Sequence, residues 1–85
     1  MTRVSWTDVL TEIRAIAAAQ LDLAREVQPD DDLTRDLELD SLTLATLAVA
    51  LEDRFNIVLA EEDAARVRTI ADLCRLVARR VEESA

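Results

Sequence analysis

Apolar residues recur at helical spacing in three separate stretches of this chain, and no stretch alternates with the period of a strand. Trp6, Val9, Leu10, Ile13, Ile16 and Ala17 form the first series. Ser5 stands where an N-cap belongs, and Asp8 three residues on suits the positive end of a helix dipole. The spacing therefore predicts a helix over about 5–21, with Trp6 packing from it and the alanines at 17–19 prolonging it. Leu44, Leu47, Ala48, Leu51 and Phe55 form the second series, over 41–55, with Leu42 and Val49 expected to widen its apolar face. Asp40 is the expected cap, which puts Ser41 in the first turn. Ile70, Leu73, Cys74, Val77 and Val81 form the third, behind Thr69 as cap. Arg75, Arg79 and Arg80 are expected to complement its negative end. Before it, Glu61-Glu62-Asp63 open a short helix predicted over 61–67, because acids favour a helix N-terminus.

The stretch 21–40 reads as a long loop. Pro29 stops any helix, Asp30-Asp31-Asp32 reads as a solvated turn, and 24–27 is expected to make one extra helical turn. Leu21, Leu23, Val27, Leu33, Leu37 and Leu39 are frequent enough to pin this loop to a core. The fold class is thus all-α, with three main helices, one short one, and a long loop between the first two, in one domain over 1–85. With Trp6 and Phe55 the only aromatic residues, the core is aliphatic; a core this small supplies roughly 3–5 kcal/mol.

Absences narrow the chemistry. The chain has no His, Gly or Lys and a single Cys, which removes the usual zinc sites, Ser-His and Cys-His nucleophiles, glycine-rich phosphate loops and Schiff-base chemistry. The acidic loop does not match a calcium-binding loop either, since Arg35 and Ser41 fall where its Gly and Glu should stand. No metal site is expected, and no catalytic residue; if Ser41 carries chemistry, something outside the chain must install it. One cysteine cannot close an internal disulfide, so a cytoplasmic location is expected, and no stretch is apolar enough for a membrane span. Cys74, on the apolar stripe, is expected to be buried.

The net charge of −8 is unevenly spread. Residues 36–63 hold eight acids and one Arg, for −7, whereas 64–85 hold three acids and five Arg, for +2. An acidic block around one serine repels nucleic acid and attracts basic protein surfaces.

Asp36-Leu37-Glu38-Leu39-Asp40-Ser41-Leu42 resembles the Asp-Leu-Gly-x-Asp-Ser-Leu signature of acyl carrier proteins, whose serine receives 4′-phosphopantetheine. Three further segments resemble that family in order and spacing: Ala50-Leu51-Glu52-Asp53-Arg54-Phe55, Glu61-Glu62-Asp63-Ala64, and Arg68-Thr69-Ile70-Ala71-Asp72-Leu73. The resemblance covers about 27–81 and implies the four-helix carrier bundle, with the arm covalently attached at Ser41 and drawn from coenzyme A. It implies that Asp40 both caps the helix and helps dock a phosphopantetheinyl transferase. Asp36, Leu42, Glu52, Asp53, Glu61, Glu62 and Asp63 become candidate docking residues for acyl-transferring, condensing and tailoring enzymes with basic patches. Leu47, Ala48, Leu51, Leu59, Val67 and Ile70 become candidate lining for a carried acyl chain, although all are equally expected as ordinary core. Met1 and the short flanks lead us to expect a free-standing, monomeric carrier serving fatty-acid, polyketide or related secondary metabolism. A peptidyl or aminoacyl carrier, and an unmodified helical adaptor for basic partners, stay open beside it. In the second case Ser41 is only a capping serine and the acids a wet helical face.

The chain departs from the family where Glu38 replaces the glycine. Gly takes a left-handed backbone freely, while Glu would pay about 1–2 kcal/mol there, so the loop is expected to turn differently or to hold Glu38 in an ordinary conformation. Thr43 and Thr46 replace frequent acids, and Arg54 adds a positive charge.

Overall fold

The computed structural model describes residues 4–21 and 25–84. Four helices form among them: α1 (Trp6–Ile16), α2 (Ser41–Phe55), α3 (Glu61–Ala65) and α4 (Ile70–Ser84). A wider π-helical turn, Ala17–Leu21, prolongs α1 to the expected limit. The bundle fold expected from the sequence is present.

Each start is fixed by local chemistry. Ser5 and Asp8 close a reciprocal capping box on α1. On α4, Asp72 N–H donates to Thr69 Oγ1 and Thr69 N–H donates to Asp72 Oδ2, both at 3.2 Å. Each pairing satisfies backbone donors that the helix itself leaves open. α1 packs chiefly on α4 and α2. The fully buried centre is aliphatic apart from Cys74: Val9, Ile13, Ile16, Val27, Leu47, Leu51, Ile70 and Val77. Arg54 on α2 also pairs with Glu12 on α1.

The long loop is anchored as its apolar content predicts, with Val27, Leu33, Leu37 and Leu39 buried. Leu23 lies outside the described residues. The loop is also stitched to the approach to α4: Leu33 N–H donates to Arg68 O (2.9 Å), and Ile70 N–H donates to Asp31 O (3.0 Å).

Several expectations are corrected. Asp31 does not belong to a solvated turn; it is buried, and its carboxylate takes both terminal nitrogens of Arg25 (2.9 and 3.0 Å) and Gln28 N–H (2.7 Å). A carboxylate can leave water there because its acceptor sites are filled by charged and backbone donors. Residues 25–27 are not helical, while Ala24 lies outside the described residues. Trp6 is 44 % exposed, one turn ahead of Val9, where the buried stripe begins. Leu42 and Val49 do not widen the buried face of α2. At about 100° per residue they fall roughly 200° from Leu44 and Leu47, and both stay exposed. α3 ends at Ala65 rather than Val67, because Val67 N–H bonds back to Ala64 O and tightens the exit. α4 runs on to Ser84, leaving no basic residue in its last turn. Arg80 turns instead to Asp63, at 2.6 Å, and ties α4 to α3.

Candidate functional site

The segment leading into α2 is built by its own side chains. Asp32 Oδ1 accepts from Thr34 N–H (3.0 Å) and Arg35 N–H (2.9 Å), while Asp36 Oδ2 accepts from Asp32 N–H (2.7 Å). Leu39 N–H then turns back to Leu33 O (3.0 Å). Between buried Leu37 and Leu39, exposed Glu38 has φ 54°. Glu38 is not held in an ordinary conformation, since it adopts the left-handed backbone itself. Two leucines in the core and the Leu39–Leu33 hydrogen bond determine the path, and the residue at the kink bears the steric cost.

Asp40 caps α2 as expected. Its Oδ1 accepts from Thr43 N–H (2.8 Å) and Thr43 Oγ1 (2.6 Å). The Thr43 hydroxyl, then its backbone N–H, hold this carboxyl below the usual range. Sequence reasoning missed Thr43 as half of the cap; its place three residues after Asp40 was the available signal. Asp40 therefore supplies the capping side chain, and Ser41 is left exposed in the first turn. The Ser41 hydroxyl makes no hydrogen bond among the described residues. A helix start presents unpaired N–H groups and a partial positive charge, so an anion joined to this hydroxyl meets a favourable field.

Ser41 borders a cleft of about 870 Å³ between α2, α3 and the start of α4. Leu47, Ala48, Leu59 and Val67, four of the six expected lining residues, border it too. Leu51 and Ile70 do not; each is fully buried beneath it as core. The stripe pattern on α2 marks residues that leave water, and it does not separate a cleft wall from the centre. Leu44, Ala45, Val49, Ala64, Leu73 and Leu76 are among the further apolar residues that border it, and none of these was singled out from the sequence as lining.

The expected docking residues divide. Asp36, Asp53 and Glu62 are exposed, and Leu42 is 77 % exposed beside Ser41. Glu52 is committed internally, its Oε2 accepting Leu59 N–H at 2.8 Å across the α2–α3 connection. Asp63 is likewise held by Arg80, which keeps its carboxyl below the ordinary range. The side chain of Glu61 lies outside the description. Along α2 no charged residue occurs from Ser41 to Leu51, so its outward surface there is Leu42, Ala45, Thr46 and Val49.

Comparison with known proteins agrees with this geometry. A family model described as "Phosphopantetheine attachment site" matches residues 11–77. The chain is 34 % identical over 67 residues to an acyl carrier protein of Helicobacter hepaticus, covering 78 % of this chain and 88 % of that one. It is 34 % identical over 67 residues to an acyl carrier protein of Helicobacter pylori, covering 78 % and 86 %. The fold matches the crystal structure of an acyl carrier protein from Thermotoga maritima with a TM-score of 0.84, at 21 % identity, over 100 % of both chains.

Proposed function

The chain belongs to the acyl carrier protein family, and on that premise we propose that Ser41 Oγ is the atom that bears its 4′-phosphopantetheine. The family carries rather than catalyses, and the arm, when attached, supplies a thiol that holds an acyl group as a thioester. The observation that carries the proposal is the exposed, uncommitted Ser41 hydroxyl in the first turn of a helix already capped by Asp40. The residues fit the group on two further counts. The start of α2 suits a phosphate, and an apolar cleft opens alongside.

In the attachment step the Ser41 Oγ–P bond forms while the bond from that phosphorus to the nucleotide half of coenzyme A breaks. The hydroxyl proton passes to a base on the transferase, which supplies the machinery this chain lacks. Asp40 keeps Ser41 at the helix start, and Asp36, Leu42, Asp53 and Glu62 offer exposed contacts to the transferase and to the enzymes that load, condense and tailor the cargo. Leu47, Ala48, Leu59 and Val67 give an alkyl cargo a wall to lie against. We assign the carrier to fatty-acid, polyketide or related biosynthesis, in the cytoplasm, where the lone buried thiol of Cys74 persists reduced.

Incubation with a broad-specificity phosphopantetheinyl transferase, coenzyme A and Mg²⁺ tests the reading. The wild-type mass should rise by one arm and the Ser41→Ala mass should not. A wild-type chain left unmodified by several transferases would instead support an unmodified helical adaptor.

A further inference from the structure

The cleft beside Ser41 has apolar walls, yet four charged residues border it: Asp32, Asp72, Arg66 and Arg68. The two acids are committed. Asp32 holds Thr34 and Arg35 N–H groups, and Asp72 accepts from Arg68 N–H, Thr69 N–H and the Arg75 side chain. The two guanidinium groups are not. Among the described residues neither makes a hydrogen bond or ion pair. The acid that feels the charge of Arg66, Asp63, is itself bonded to Arg80. Arg14, Arg25, Arg54, Arg75 and Arg80 are each paired with an acid, while Arg35 and Arg79, also unpaired among the described residues, do not border this cleft.

Position adds to this. Arg68 O accepts Leu33 N–H and Leu33 O accepts Leu39 N–H, so the backbone of Arg68 is fastened to the loop that launches α2. Exposed Asp36, Glu38 and Asp40 crowd that launch point with negative charge. A further anion entering the cleft from Ser41 needs nearby positive charge, and Arg66 and Arg68 are the cations that border the cleft.

We propose, building on attachment at Ser41, that Arg66 and Arg68 make this cleft anion-receiving: they pair with an oxyanion that enters it alongside the apolar walls. Two sources share that chemistry, the phosphodiester formed at Ser41 and a carboxylate at the far end of a carried acyl chain. In the second case the cleft prefers a dicarboxylic half-thioester to an all-alkyl one of equal length.

The test uses ¹⁵N-labelled chain loaded from coenzyme A, octanoyl-coenzyme A or octanedioyl-coenzyme A, with loading read by intact mass. The Nε–Hε signals of Arg66 and Arg68 should move on loading. Movement with the bare arm assigns the phosphodiester; movement only in the octanedioyl form assigns the cargo carboxylate. The Arg66→Gln/Arg68→Gln variant should keep its helical circular dichroism. If the carboxylate is the ligand, it should also hydrolyse the octanedioyl thioester about two- to fivefold faster, the size an exposed ion pair supports. Signals unmoved in all three forms, or moved only by the octanoyl chain, overturn the proposal. Absence of any mass increase would belong to the attachment reading instead. Arg66 and Arg68 are then tested on the unmodified chain with free 4′-phosphopantetheine and with octanedioate, and one of the two must move the same two signals or the proposal is overturned.

Discussion

Replacing Glu38 by glycine should stabilise this protein. Glu38 and Asn56 are the non-glycine residues with positive φ among those described, both at 54°. A left-handed backbone costs an L-residue about 1–2 kcal/mol. Glycine removes that cost but gives back roughly 0.4–1 kcal/mol through its freer unfolded chain. The net expected for Glu38→Gly is a gain of about 0.5–1 kcal/mol, or about 2–8 °C in Tm for a domain of this size. Asn56, at the C-cap of α2, is the internal control, because asparagine tolerates the left-handed region. Asn56→Gly should change Tm little. Glu38→Gln separates backbone from charge, since Glu38 is exposed near Asp36 and Asp40, and it too should move Tm only slightly. Thermal melts with urea titrations at fixed ionic strength decide the matter. An unchanged or lower Tm for Glu38→Gly, or an equal gain in Asn56→Gly, would refute the backbone argument.

The Asp31 carboxyl lies below the ordinary range, first through its hydrogen bond to Arg25. A folded value below the unfolded one means that its stabilisation is complete above the ordinary carboxylate range, about pH 4, and is lost as pH falls through the folded value. The Tm difference between wild type and Asp31→Asn should therefore be constant above about pH 5 and shrink below pH 4; a constant difference down to acid pH would contradict this. Burial pushes the Cys74 thiol up to about 11, so a thiol reagent at pH 8 should label it only as the chain unfolds, faster with urea. Labelling at a free-thiol rate in buffer would contradict its burial. With −7 concentrated in residues 36–63, added monovalent salt should raise Tm from its low-salt value, and a flat response would count against like-charge repulsion.

The helices were legible because their signals are local. Ser5 with Asp8, Asp40 ahead of Ser41, and Thr69 with Asp72 each announce a helix start within four residues. The heptad around Ser41 was legible for the same reason. What the sequence hid depends on distant partners. Asp31 looks like its neighbours Asp30 and Asp32 until Arg25 is seen on it. Glu52 and Asp63 look like free acids until Leu59 N–H and Arg80 meet them. Leu47 and Leu51 belong to one stripe and both are buried in the core, yet only Leu47 also borders the cleft, which the stripe pattern does not tell. Glu38 shows the converse: the sequence signalled an unusual position, but only packing of Leu37 and Leu39 determined which conformation it takes.

Tandem mass spectrometry of the tryptic peptide spanning 36–54, from protein recovered carrying its arm, asks the central question at one atom. That peptide offers three hydroxyls, on Ser41, Thr43 and Thr46. The geometry predicts the whole phosphopantetheine mass on Ser41, since Thr43 and Thr46 spend their hydroxyls on Asp40 and on Leu42 O. An arm found on either threonine, or on no residue of the peptide, would contradict it.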